Sequence, residues 1–369
     1  MKILHMLPGL YTGGGEKICI ELCNELAKNK ELEVILCSLE PLNERQEIMH
    51  QKITPSVKLI TLNKKGKSPA IFFEIIKMIS SVKPDIIHTH LSTLHYAPLG
   101  IILSGIPSVH TLPTVAEKSG SKGKIKLYKF LFNYFNFDPV SMGDKVFQSC
   151  KNVFGKPCHS NIEIGTIPLE KTPLFDEVKN EIDALRKNEN TKFFVSVGRL
   201  YPVKNQLLLI EAFQKLLKEG YDAHLFVIGS TILVPDYAKQ CEELVGNNKN
   251  IHIVGEKSNV ADYLLNVDAL CFSSIYEGLP MTIVEGMSLG VPTIATSVGG
   301  IPDLINEGIN GYLSADMSAE SYVELFKKII EGKKLDSEKI KDIFADKYSI
   351  KQCAQNYADL YKAKIANGK

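Results

Sequence analysis

The sequence predicts an α/β protein made of two doubly wound, parallel-sheet domains. Three observations carry this expectation. Short apolar runs alternate with helical patterns along the first half and again along the second. A length of 369 residues exceeds what one ordinary core holds. Between Gly165 and Glu177 the alternation lapses into Pro-, Thr- and acid-containing sequence, which marks a linker. The expected domains are therefore residues 1–170 and 171–345.

In the first half, strands are expected at Lys2–Leu7, Val34–Ser38, Val57–Leu62, Asp85–Thr89 and Ser108–Thr111. Helices such as Glu16–Lys28 and Ala70–Val82 fall between them. In the second half, strands are expected at Phe193–Val197, His224–Ile228, Ile251–Val254, Ala269–Phe272 and Thr293–Thr296. The tail after Ala319 reads as helical with a polar face. Two such sheets are expected to bind ligands in a cleft at their strand carboxyl ends.

Composition narrows the function classes. Hydrophobic content of 44% and charged content of 23% describe a soluble globular protein. A net charge of +1 argues against a nucleic-acid binder. The apolar stretch Ile71–Ile79 is interrupted by Glu74 and Lys77, so it does not read as a membrane span. The N-terminal run ending at Pro8-Gly9 reads as a strand instead of a signal peptide, and a cytoplasmic location is expected. The eight cysteines show no CxxC pair and read as buried, reduced thiols. Cys19 and Cys23 stand one helical turn apart, but no second pair joins them. Arginine is scarce, with only Arg45, Arg186 and Arg199.

Chemistry concentrates in a few segments. In Ser273-Ser274-Ile275-Tyr276-Glu277-Gly278-Leu279-Pro280-Met281-Thr282-Ile283-Val284-Glu285, a buried strand leads through a Gly-Leu-Pro turn into a helix. Pro280 suits the first helical position and Gly278 the sharp turn. Glu277 then lies in the loop, with Glu285 just over one turn into the helix. The free N–H groups of Met281 and Thr282 favour an anion between the two carboxylates. In Gly198-Arg199-Leu200-Tyr201-Pro202-Val203-Lys204, two cations five residues apart follow a strand. They suit a diphosphate; an isolated pair more often marks a solvated basic loop, but the position at a strand carboxyl end favours the ligand reading.

Thr12-Gly13-Gly14-Gly15-Glu16-Lys17 follows the first strand and offers backbone N–H groups to a phosphate. It matches neither the P-loop nor the dinucleotide fingerprint, and a plain turn remains an alternative. His110 ends an apolar run, where it reads either as a sugar or phosphate donor at the cleft edge or as a structural histidine. His88 and His90 alternate on one strand without a carboxylate partner, so no metal site is expected. With no Asp-x-Asp in the chain, cationic side chains would neutralise a diphosphate instead of a metal. The segment Lys118–Phe137 carries Lys118, Lys122, Lys124, Lys126 and Lys129 with no acid. Leu127, Phe130, Leu131 and Tyr134 form its apolar stripe, and Phe132, Phe135 and Phe137 widen it. Such a segment suits an anionic membrane surface, or an ordinary surface helix with one buried face.

Taken together, these residues resemble the retaining glycosyltransferases of family 4 (glycosyl transferases group 1). These have the GT-B architecture of two Rossmann-like domains facing a central cleft. The resemblance spans nearly the whole chain and is strongest from Val195 to Ile305. It rests on Gly198-Arg199-Leu200…Lys204, Glu277-x7-Glu285, Gly299-Gly300-Ile301-Pro302-Asp303-Leu304-Ile305 and Gly13-Gly14-x-Glu16. It implies a metal-independent, retaining transfer of a hexose or related sugar from a nucleoside diphosphate donor, UDP ahead of GDP. The acceptor would be a glycan or lipid-linked glycan, at or near the inner face of a membrane, and no further cofactor is implied.

By the same resemblance Arg199 and Lys204 hold the diphosphate, Glu277 contacts the transferred sugar and His110 lies near the reaction centre. Gly14, Gly15, Lys257, Gly278, Leu279, Met281, Thr282 and Glu285 are the implied nucleotide-sugar contacts, with Glu285 on the ribose. Residues 346–369 would form a helix that crosses back to the first domain. Two departures stand out. Ile228-Gly229-Ser230 keeps one glycine of the usual Gly-x-Gly-Pro, and Ile164-Gly165-Thr166 replaces the usual Asn-Gly before the linker. The competing functions are a sugar-nucleotide epimerase or phosphorylase on the same scaffold, and a non-catalytic nucleotide-sugar-binding protein.

Overall fold

The structure is a computed structural model. It describes every residue except Thr12, Lys65, Lys67, Ser68, Ser119, Lys156, Pro157, His159, Gly368 and Lys369, and omits the side chains of Lys118 and Asn367. The chain forms two compact units, one of Met1–Ile167 with Lys347–Lys369 and one of Pro168–Asp346.

The first unit holds a parallel sheet of strands β1 (Lys2–Leu7), β2 (Glu33–Ser38), β3 (Lys58–Thr61), β4 (Ile86–Thr89), β5 (Ser108–Leu112), β6 (Phe137–Ser141) and β7 (Ser160–Asn161), in the order β3-β2-β1-β4-β5-β6-β7. Alternate residues of β1 feed two cores. Ile3 and Leu7 pack with Cys19, Cys23 and the C-terminal helix on one face. Leu4 and Met6 pack with Ile75, Ile79 and Phe132 on the other. Both faces are covered, which is why these strands read as continuous apolar runs.

The second unit holds β8 (Lys192–Val197), β9 (Ala223–Ile228), β10 (Ile251–Gly255), β11 (Ala269–Phe272), β12 (Thr293–Ala295) and β13 (Gly311–Leu313), in the order β10-β9-β8-β11-β12-β13. Its pairs are parallel throughout. The expected two-domain α/β fold is thus present, with ten strands at or near the expected positions.

β6, β7 and β13 have no counterpart in the sequence reading. β6 carries Asp138 and Pro139, which argue against a central strand. Asp138 is nonetheless buried, because Lys364 Nζ from the helix Ile350–Asn367 bonds its carboxylate at 2.5 Å. That partner stands 226 residues away in sequence. The same helix places Tyr357 and Tyr361 in the core of the first unit against Cys19 and Cys23. Gly165 lies so close to the start of this helix that a Cβ would overlap Cys353 and Ile350.

Candidate donor site

In the second unit the chain runs outward from β8 to β9 and β10, then crosses to β11, β12 and β13 on the other side. The carboxyl ends of β8 and β11 therefore diverge, and such a switch point opens a crevice where α/β sheets take ligands. Both principal motifs leave the sheet there.

Gly198-Arg199-Leu200 leaves β8 and turns through Pro202–Lys204 into the helix Gln206–Lys218. The loop is pinned on both sides. Gly198 N–H donates to Ile228 O at 2.9 Å, Leu200 N–H to Ser230 O at 3.0 Å, and Gln206 Nε2 to Arg199 O at 3.0 Å. A Cβ on Gly229 would overlap the Gly198 carbonyl, so the one glycine kept in that loop has a packing role.

After β11, Ser273–Pro280 lead into the helix Met281–Ser288. Here the structure brings two motifs together. Lys204 Nζ donates to Glu277 Oε1 at 2.6 Å, and Ser274 Oγ donates to the same oxygen at 2.6 Å. Ser273 Oγ bonds the carbonyls of Lys204 and Asn205 at 3.0 and 2.9 Å, and Ile275 N–H reaches Val203 O at 2.8 Å. Thr296 Oγ1 holds Ser274 O at 2.7 Å. Sequence reasoning passed over Ser273, Ser274 and Thr296, because hydroxyls next to a strand end are common and carry no spacing signal.

The recurrent Gly299-Gly300 segment also finds its reason here. Gly299 has φ 55°, and a Cβ on it would overlap the Glu277 carbonyl. A Cβ on Gly300 would overlap Gly278 O, which instead accepts the Gly300 N–H at 2.9 Å. The pair thus presses the Glu277-Gly278-Leu279 loop into place.

One expectation needs correction. Pro280 is the residue before the helix, extended at φ −73° and ψ 108°, and Met281 is the first helical residue. The turn still closes, since Ile283 N–H bonds Pro280 O at 3.1 Å. The amides of Met281 and Thr282 begin the helix, and Glu285 lies half-buried four residues after Met281. Arg199 is exposed and makes no ion pair among the described residues. Lys257 follows the edge strand β10, two strands from β8. It lines a shallow groove of about 330 Å³ with Leu174, Glu177, Glu181 and Tyr263.

In the first unit the switch point lies between β1 and β4. The glycine turn follows β1, although Thr12 lies outside the described residues. Gly13 is extended ahead of the helix Gly14–Leu26, and Lys17 N–H closes onto its carbonyl at 3.0 Å. A Cβ on Gly13 would overlap the Glu16 carboxylate, and one on Gly15 would overlap Leu91. Burial raises the pKa of Glu16. At Gly14 a Cβ would meet nothing within 4 Å. Packing within the protein therefore gives no reason for that glycine.

His110 departs from its expected place at the cleft edge. It sits inside β5, 1% exposed, with its ring 5.5 Å from Tyr128 and 6.3 Å from Phe132. Thr89 Oγ1 pairs with its Nδ1 at 2.9 Å. Burial brings its pKa down to about 3, so the ring is neutral at physiological pH. The ring is thus a neutral, buried histidine held within β5 by Thr89.

The basic segment divides as well. Lys122–Tyr134 is helical, but Phe137 is buried in β6 and does not extend the surface. Tyr128, Leu131 and Phe132 form the buried face. Leu127, Phe130 and Tyr134 are instead exposed, the last two at 51% and 75%, beside the exposed Lys122, Lys124, Lys126 and Lys129. No helix among the described residues is long and apolar enough to cross a membrane.

Comparison with known proteins supplies the family. Residues 177–343 match the model of glycosyl transferases group 1, and residues 12–139 match that of glycosyltransferase family 4. The Escherichia coli UDP-Gal:alpha-D-GlcNAc-diphosphoundecaprenol alpha-1,3-galactosyltransferase is 24% identical, covering 100% of this chain and 98% of its own. Among solved structures, a glycosyltransferase from Rickettsia africae superposes with a TM-score of 0.83 at 21% identity, covering 99% of each chain. Anabaena HepE in complex with UDP-glucose superposes with a TM-score of 0.78 at 16% identity, covering 98% of this chain and all of its own. With both units matched in order and the GT-B fold shared, the chain belongs to the group 1/family 4 glycosyltransferases and is an enzyme that transfers sugars.

Proposed function

We propose that this enzyme transfers a sugar from a nucleoside diphosphate sugar, UDP ahead of GDP, to a lipid-linked glycan. We further propose that transfer retains the anomeric configuration and needs no metal. The observation that carries this reading is the Lys204–Glu277 pair at the switch point, beside the first turn of the helix Met281–Ser288. Without donor, Lys204 is neutralised by Glu277. A diphosphate entering the crevice competes for the lysine and releases the carboxylate to a sugar hydroxyl. Arg199, exposed at the end of β8, adds a second cation. The amides of Met281 and Thr282 contribute the positive end of the helix. Positive charge then faces the oxygens on which negative charge develops as the nucleotide departs, where it lowers the barrier most.

Glu285 is assigned to the ribose, Lys257 to the nucleotide side, and the backbone at Gly278 and Leu279 to the sugar and phosphate. Gly14 and Gly15 are assigned to phosphate, and the open space at Gly14 suits a ligand's approach. The exposed Leu127, Phe130 and Tyr134 among lysines suit peripheral contact with an anionic cytoplasmic leaflet, where a lipid-linked acceptor is presented. The E. coli relative, whose name specifies a UDP-sugar and a diphosphoundecaprenol acceptor, supports this choice of substrates.

The test has two arms. A thermal-shift screen of UDP, GDP and ADP sugars reads donor binding, which stabilises by mass action. Transfer from the stabilising donor to polyprenyl-diphosphate sugars, in anionic vesicles, reads the acceptor, with product configuration set by NMR. Stabilisation by UDP sugars and an α-linked product from an α-linked donor are expected. No stabilisation by any nucleotide sugar, or an inverted product, overturns the reading.

A further inference from the structure

Beneath the glycine turn of the first unit lies a cluster that sugar transfer does not use. His5 on β1 is registered against His88 on β4, and His90 follows at the end of β4. All three imidazoles are buried, at 0%, 0% and 6% exposure. The helix Gly14–Leu26 covers them with Cys19 and Cys23, both fully buried.

The three histidines are not equivalent. His88 is fully used, with Nδ1 at 2.6 Å from the Tyr361 hydroxyl and Nε2 at 2.7 Å from Thr111 Oγ1. His5 and His90 pair with each other, Nδ1 to Nε2 at 3.1 Å. His5 Nε2 is buried with no hydrogen-bond partner in the protein. An orphaned polar atom in a core is costly and calls for an explanation. Ligand atoms of His5, Cys19 and His90 all lie within 4.8 Å of one another. A tetrahedral zinc centre places such donors roughly 3.3–3.8 Å apart, so side-chain shifts of about 1 Å close the site. In the sequence, the alternation of His88 and His90 offers no third donor. The fold supplies it from β1 and from the helix.

We propose that His5, Cys19 and His90, with Cys23 one helical turn further on as fourth donor, bind one thiophilic d10 cation such as Zn2+. Imidazole and thiolate in a closed, dry site select for such ions over Mg2+ or Ca2+. Binding forms the metal–sulfur and metal–nitrogen bonds and releases the thiol protons to solvent, with no change of oxidation state. It satisfies His5 Nε2 and ties β1, β4 and the helix behind the glycine turn together. This site is structural and separate from the crevice between β8 and β11.

The test uses the full chain, purified reduced and freed of metal, and titrated with Co2+ as a spectroscopic stand-in for Zn2+. Expected are saturation at one Co2+ per chain, a near-ultraviolet thiolate-to-cobalt charge-transfer band and the intense visible bands of four-coordinate cobalt. A rise in Tm with Zn2+ should accompany them. Cys19→Ser should abolish the charge-transfer contribution of that thiolate and weaken binding by ~10²-fold or more, since even outer-shell partners are worth 10–100-fold. His90→Asn, which leaves both thiols, should weaken binding similarly. Wild-type protein that binds no Co2+, or binds it without a thiolate band, overturns the proposal whether or not the variants fold. So do unaltered spectra in folded Cys19→Ser protein.

Discussion

The two sheets share a topology and differ in what they put at the switch point. Between β8 and β11 stand Lys204, Glu277, Arg199 and a helix start, half-buried or exposed and held by hydroxyls. Between β1 and β4 stand a glycine turn and, behind it, imidazoles and thiols sealed from solvent. The ionisable groups at the switch point are thus open to solvent in one unit, while those behind the glycine turn of the other are buried. The comparison teaches that topology fixes where a ligand can sit, while the ionisable groups and their burial decide which half performs electrostatic work on it.

The largest effect should come from the charged crevice. Arg199→Ala and Lys204→Ala are expected to lower kcat by ~10²-fold or more, because each removes a group that stabilises charge developing in the transition state. In steady-state assays with a UDP sugar, turnover within about threefold of wild type in both variants would remove the electrostatic contrast between the units.

The closed half should instead reveal itself through acid sensitivity. His110 has a folded pKa of about 3, below its ordinary 6.5. Between those values the unfolded chain binds the extra proton. Stability is therefore full above about pH 6.5 and falls with decreasing pH, by about 1.4 kcal/mol per unit for this one group. Urea unfolding at pH 7 and pH 4.5 should show wild type losing about 3 kcal/mol more than His110→Phe over that interval. Equal losses would mean that the ring is accessible and charges freely in the folded state.

How far the sequence reaches can be judged from the same residues. Strands flanked by turn residues, such as Lys2–Leu7 and Ala269–Phe272, are legible to the residue because burial on both faces leaves a plain apolar run. β6 is not, because Asp138 and Pro139 make sense only with Lys364 in place. Arg199, Lys204 and Glu277 are legible as types at strand ends. Their convergence is not, since the Lys204–Glu277 bond spans 73 residues and depends on which strands are neighbours. The burial of His110 is not legible either. A histidine at the end of an apolar run looks the same whether the strand stops there or continues to Leu112.

Glycines sharpen the contrast at smaller magnitude. Gly299→Ala places a Cβ on the Glu277 carbonyl at φ 55°, and should cost about 2 kcal/mol in stability along with activity. Gly14→Ala meets no protein atom within 4 Å and should leave Tm nearly unchanged. If a phosphate approaches that backbone, KM for the donor rises about tenfold, equivalent to ~1.4 kcal/mol. A variant with normal Tm and normal KM would reduce the glycine turn to a plain connection.

The smallest effect separates positioning from charge. Ser274 Oγ and Lys204 Nζ share Glu277 Oε1, each at 2.6 Å. Removing the lysine deletes a charge, whereas Ser274→Ala deletes only a neutral donor and leaves the ion pair. A hydrogen bond to a carboxylate contributes about 1.5–3 kcal/mol net, of which the remaining lysine recovers part. The expected result is a loss of about tenfold, expressed in kcat more than in donor KM, because the carboxylate reaches the sugar in a broader range of poses. Ser274→Thr keeps the hydroxyl and should restore most of it. If Ser274→Ala matches Lys204→Ala in size, orientation of Glu277 outweighs the lysine's charge.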